Sequence, residues 1–230
     1  MKGILAAVVV AIGLSGCASV VPSASYTTMD KSAQSATTAD AALAALKAGN
    51  ARFVSGNMIK RDLMKQVKAT GYGQYPIASI VSCIDSRVGP EIVFDQGIGD
   101  VFSARVAGNF VNEDILGSLE FGSKAAGSKL IVVLGHTSCG AIKGACDDVA
   151  LGNLTGMLAK IKPAVASVSS TGDRSSKNDA FVQMVAEANV KRTVNDIFVR
   201  SPVLKAMADK GEIKIVGAML DVKTGVISWY

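Results

Sequence analysis

A chain of 230 residues, 49% hydrophobic and 19% charged, is too apolar to be disordered and long enough for one domain with a sizeable core. Its formal net charge of +5 is scattered over amphipathic segments, and no basic stripe carries interleaved aromatics, which argues against a nucleic-acid partner. Four cysteines (Cys17, Cys83, Cys139, Cys146) do not form a simple disulfide framework, because Cys17 belongs to a leader junction and three remain.

In chain order, Lys2 precedes an apolar run, Ile4–Leu14, that is too short to span a bilayer and has the shape of a signal-peptide core. The tetrapeptide Leu14-Ser15-Gly16-Cys17 resembles the bacterial lipoprotein processing box. That resemblance implies a signal peptide at 1–16, cleavage before Cys17 and lipidation of its sulfur. Ala18 in place of Asp implies an exported protein anchored by lipid on the periplasmic side of the outer membrane. Residues 17–38 are rich in Ser, Thr and Ala and read as a flexible tether, leaving 39–230 as one globular unit.

Thr37, Thr38 and Asp40 signal a helix start before "AALAALKAG", and a second amphipathic segment follows near Ile59–Ala69. "IASIVSC" (Ile77–Cys83), "VFSAR" (Val101–Arg105), "LIVVLG" (Leu130–Gly135), "IKIVGAML" (Ile213–Leu220) and a terminal "VISWY" predict strands, the last at an edge. Helical patterns at Asn112–Lys124, Gly140–Val149, Leu154–Val165 and Asp179–Lys210 separate them, the last breaking near Ser201-Pro202. The expected fold is α/β: a mainly parallel sheet of four to five strands flanked by helices, with an N-terminal helical arm.

Function in such sheets gathers beyond the carboxyl ends of the strands. Cys83 ends the first predicted strand, and the third runs into "GHTSCG", which holds His136, the only histidine, and Cys139. Two thiolates and an imidazole suit Zn²⁺, and three protein ligands with a fourth position open is the catalytic arrangement. Ser138 can cap the helix that follows, and Gly140 permits close backbone approach. In "CIDSR", Asp85 and Arg87 can form a bidentate pair that holds the carboxylate ionised at the metal's edge, or free to join the metal as a fourth ligand in a closed state.

"CIDSR" followed by "GHTSCG" resembles the β-class carbonic anhydrase family, and "LKAGNARFVSG" (Leu46–Gly56) and "IGDVFSARVAGN" (Ile98–Asn109) extend the likeness. By that resemblance Cys83, His136 and Cys139 are zinc ligands, Asp85 and Arg87 the catalytic dyad, and Gln74, Phe102, Ala107 and Gly140 substrate-binding residues. Ala107 stands where some members carry valine. Ile80 stands where the bicarbonate-regulated subtype has tryptophan, which implies the open subtype, with Asp85 on Arg87. The implied reaction is reversible hydration of carbon dioxide to bicarbonate and a proton by zinc-bound hydroxide. The implied assembly is a homodimer or higher homo-oligomer with the active site near the interface.

Two alternatives stay open: a zinc hydrolase of carbon disulfide or carbonyl sulfide, and a non-catalytic zinc-stabilised lipoprotein. Cys146 reads as an inert buried thiol. "GIGD" (Gly97–Asp100) lacks the third glycine and the helix start of a nucleotide loop.

Overall fold

The computed structural model describes residues 27–230; the leader, Cys17 and the first part of the expected tether lie outside the described residues. Strands β1 (Ala78–Ser82), β2 (Val101–Arg105), β3 (Leu130–His136) and β4 (Lys214–Leu220) are parallel, and β5 (Ile227–Trp229) is antiparallel to β4. Their order across the single sheet is β2-β1-β3-β4-β5. β1 and β3 are buried along their whole length, as the apolar run of β3 and the small and β-branched residues of β1 suit in strands covered on both faces.

Alternate side chains of these strands enter two cores. On one face Val81, Ile131 and Val133 meet helices α5 (Glu113–Glu120), α6 (Gly140–Cys146), α8 (Lys162–Ser167) and α9 (Asp179–Arg200). On the other, Ile80, Val132 and Leu134 meet Leu46 of α2 (Ala39–Val54) and Phe94, just after α4 (Pro90–Val93). Leu46 and Phe94 are both fully buried. Burying a side chain of this size contributes about 1.5–3 kcal/mol.

The arm is pinned by polar bonds as well. The Asn50 amide donates to the carbonyls of Val93 at 3.0 Å and Gly225 at 2.8 Å, and accepts from Ile227 N at 3.1 Å. Asp95 is fully buried at φ +47° and accepts from Arg52 Nε at 2.5 Å, from Ile59 N at 3.2 Å and from Arg61. Burial pushes the Asp95 carboxyl up, but the two guanidiniums and the amide outweigh it and hold the group below its ordinary range.

Four elements differ from the sequence expectation. Part of the expected tether is helix α1 (Lys31–Ala36), capped by Asp30, and its Gln34 donates to Pro76 O and Ala126 O, both at 2.8 Å. α3 begins only at Leu63, where Asp62 caps it, and runs to Thr70. The Asn112–Lys124 segment is α5 followed by a π-helical turn, Phe121–Ala125. The Leu154–Val165 segment is two helices, α7 (Gly152–Ala159) and α8, because Pro163 lacks the N–H to continue the first and sits in the opening turn of the second. The expected break at Ser201 separates α9 from α10 (Pro202–Asp209), with the Ser201 hydroxyl accepting from Leu204 N.

Candidate metal centre

The register of β1 on β3 pairs Ser82 with Leu134, so Cys83 and His136 leave the sheet side by side at its carboxyl edge. Cys139 follows across a two-residue turn. One ligand atom from each of Cys83, His136 and Cys139 lies within 4.8 Å of the other two, and all three residues are buried. The two sulfurs are 4.0 Å apart. Zn–S bonds of about 2.3 Å in a tetrahedron would place them about 3.8 Å apart.

His136 Nδ1 lies 2.9 Å from its neighbour's carbonyl, Thr137 O. A carbonyl only accepts, so Nδ1 carries the proton and Nε2 presents its lone pair. Nε2 is buried and has no hydrogen-bond partner among the described residues. An orphaned buried acceptor of this kind costs about 1–3 kcal/mol. A cation between Nε2 and the sulfurs would satisfy it, so the residues present fit a thiolate- and imidazole-binding metal.

The two sulfurs are within hydrogen-bond reach, and either could donate the proton. The hydrogen bond from Cys139 lowers the Cys83 thiol, helped by the Gly108 amide and opposed by burial. The same bond raises Cys139, and burial raises it further. A divalent cation in place of that proton would face two thiolates.

Asp85 borders this cluster, its Oδ2 3.9 Å from His136 Nε2. Arg87 grips it bidentately, Nε to Oδ1 at 2.9 Å and Nη2 to Oδ2 at 2.7 Å, and the Arg87 backbone N–H adds a third bond at 2.9 Å. That grip holds the carboxyl well below the usual carboxylate range, although burial opposes it. The turn carrying it is fastened from β2: Arg105 donates from Nε to Cys83 O at 2.9 Å and from Nη2 to Asp85 O at 2.6 Å.

Ser138 does not cap α6, contrary to expectation. It adopts φ +54°, and Cys139 takes the cap position with no side-chain cap bond. Reversing from strand to helix within two residues requires a left-handed conformation, and Ser138 supplies it. Gly140 opens the helix, exposed, and a Cβ there would meet nothing within 4 Å.

The other sequence-selected residues are spread more widely. Ala107 is partly buried one residue before Gly108, whose N–H donates to Cys83 Sγ at 3.4 Å. Gln74 is exposed on the loop that precedes β1, at the end of that strand opposite Cys83. Phe102 pairs in register with Ser79, early in β1, and lines a groove with Ile115, Leu119 and Phe121. Cys146 is partly buried, with burial pushing its thiol up, and stands outside the ligand group.

Sequence reasoning missed Arg105 and Asn189. Arg105 is a cation at the carboxyl end of a predicted strand beside that of Cys83. Asn189 is a polar residue on the mostly apolar buried stripe of α9 that includes Val185, Ala186 and Val190.

Comparison with known proteins agrees with this geometry. The family model described as "Carbonic anhydrase" matches residues 78–227, which include all three candidate ligands. Carbonic anhydrase 2 of Mycobacterium tuberculosis is 37% identical over 191 residues, covering 80% of this chain and 89% of that protein. The carbonic anhydrase of Mycolicibacterium smegmatis is 34% identical over 192 residues, with 80% and 90% covered. Among solved structures, the Coccomyxa β-carbonic anhydrase in complex with acetazolamide superposes with TM-score 0.63 at 26% identity, covering 72% of this chain and 77% of that one. CafA, the β-carbonic anhydrase of Aspergillus fumigatus, superposes with TM-score 0.62 at 26% identity, covering 83% and 89%. With a family model over most of the chain, relatives more than a third identical and a shared fold, the chain belongs to the β-class carbonic anhydrases.

Proposed function

We propose that this enzyme catalyses the reversible hydration of carbon dioxide to bicarbonate and a proton, with a zinc ion held by Cys83, His136 and Cys139. Zinc, when bound, supplies the Lewis acidity that makes water nucleophilic near pH ~7. The observation that carries the reading is a buried Cys₂His group with three candidate protein ligands among the described residues, bordered by an ionised carboxylate. A structural zinc site closes with four protein ligands and needs no such neighbour.

The chain's own residues orient and move protons. Asp85, held ionised by Arg87, is a hydrogen-bond acceptor at the mouth of the cluster, and its bidentate pairing supports the open arrangement. His136 is the only histidine in the chain, and both its nitrogens are committed, Nδ1 to Thr137 O and Nε2 to the metal position. No imidazole remains as a shuttle, so the product proton leaves through Asp85, ordered water or external buffer.

Gln74, with backbone donors, is proposed to stabilise the oxyanion that develops on the substrate. Gln74 and Phe102 lie toward the amino end of the sheet, away from their own chain's cluster, so this role calls for a second copy. β2 is an edge strand, and the groove of about 710 Å³ beside it is lined by Phe102, Ile115 and Phe121. Both features support a homodimer or larger homo-oligomer, which sedimentation of the mature protein tests. The leader supports export and lipid anchoring through Cys17, which palmitate labelling of the wild type and Cys17→Ser tests. Among the described residues no helix is long and apolar enough to cross a membrane.

Stopped-flow hydration of carbon dioxide by the zinc-loaded protein tests the activity, with carbonyl sulfide and carbon disulfide assayed in parallel. Rapid hydration that rises with buffer concentration is expected. Turnover of the sulfur gases alone would replace the reading, and a folded, zinc-loaded protein inert to all three would refute it.

A further inference from the structure

Asn189 is an anomaly in α9. It is 1% exposed, on a stripe that otherwise feeds the core with Val185, Ala186, Val190 and Ile197. A buried carboxamide needs partners, and its Nδ2 donates to Gly108 O at 2.7 Å.

Gly108 in turn donates its N–H to Cys83 Sγ at 3.4 Å. It sits at φ +83°, and a Cβ would fall 2.4 Å from Ile161 Cδ1, so only glycine fits. Glycine is the residue with the most backbone freedom, and nothing in its own side chain fixes where its N–H points. The preceding turn is closed by Asn109 N to Val106 O at 2.9 Å, and the carbonyl side of Gly108 is held by Asn189.

We propose that Asn189 is a positioning residue for the metal centre: by fixing Gly108 it aims the Gly108 N–H at the Cys83 sulfur and so slows metal loss. The role rests on the zinc reading above. It is exerted across 81 positions of sequence, from the middle of a helix that contributes no ligand. Outer partners of this kind typically alter metal affinity by about 10–100-fold.

The test uses the mature zinc-loaded protein and its cobalt(II)-substituted form, with Asn189→Leu, which keeps the volume but cannot donate, and Asn189→Ser, which is too short to reach Gly108 O. Zinc transfer to a chromophoric chelator is timed, and the sulfur-to-cobalt charge-transfer band is recorded. The expected result is release about tenfold faster than wild type in both variants, with a shifted band. Release at the wild-type rate with an unchanged band overturns the proposal, whatever happens to the thermal midpoint, because that pattern marks a residue serving only the fold. Should Leu fail to fold, Ser carries the measurement, and failure of both to fold also overturns it. A wild type that takes up no stoichiometric metal would instead sink the zinc reading, so the two failures are distinct.

Discussion

Two turns leave neighbouring strands at the same sheet edge, and they are built differently. The turn after β3 buries the two residues that flank it: His136 and Cys139 are each 1% exposed. Thr137 is tied to the strand beside it through its N–H to Leu220 O at 2.9 Å and through Val222 N to its hydroxyl at 3.1 Å. The turn after β1 begins buried at Cys83 but is open by Ile84, which is 62% exposed, and it carries charges held by other charges. The first turn fixes two ligands by packing and backbone bonds. The second presents the carboxylate that must meet solvent, so it depends on guanidiniums rather than on burial.

That contrast can be broken from either side. The largest effect is expected in the buried turn: His136→Ala should cut turnover by about 10⁴-fold, the scale seen when one member of a catalytic unit is removed. Zinc content measured on the same sample should fall well below one ion per chain. In the exposed turn, Asp85→Asn should keep its zinc and lose about 10²-fold in turnover, within the range for a proton-transfer group. A zinc-depleted Asp85→Asn would mean that the two turns are not separable.

A smaller loss sharpens the comparison. Arg105→Met removes both bonds to the Cys83 and Asp85 carbonyls and should lower turnover about tenfold with zinc retained, because a loosened turn misplaces the carboxylate. The smallest effect is on stability against pH. The folded state holds Asp85 below the ordinary carboxylate value of 3.8, so its pairing stabilises the fold fully above that pH and loses the contribution as pH falls through the folded value. Chemical denaturation should therefore show Asp85→Asn less stable than wild type at neutral pH, with the gap shrinking below pH 3.8. A gap that stays constant down to the acid limit would contradict the pairing.

The buried turn was the more legible of the two. Continuous apolar runs marked β1 and β3, and β2 matches its predicted span residue for residue, Val101–Arg105. A lone histidine and two cysteines near strand ends then pointed to the cluster that could hold a metal. What stayed hidden depends on contacts between distant segments. The composition of Lys31–Ala36 suggests a tether, yet Gln34 folds it down by bonds to carbonyls at Pro76 and Ala126. The clamp of Arg105 on Cys83 and the reach of Asn189 to Gly108 follow from how β2 and α9 pack, and local periodicity carries no record of either. Gln74 and Phe102, selected by resemblance, belong to the other end of the strands from Cys83.

X-ray absorption at the zinc edge tests the central geometry most directly. The account predicts two sulfurs near ~2.3 Å, one nitrogen near ~2.0–2.1 Å and one further light atom. A shell of four protein sulfurs and nitrogens, or folded protein that retains no metal, would contradict it.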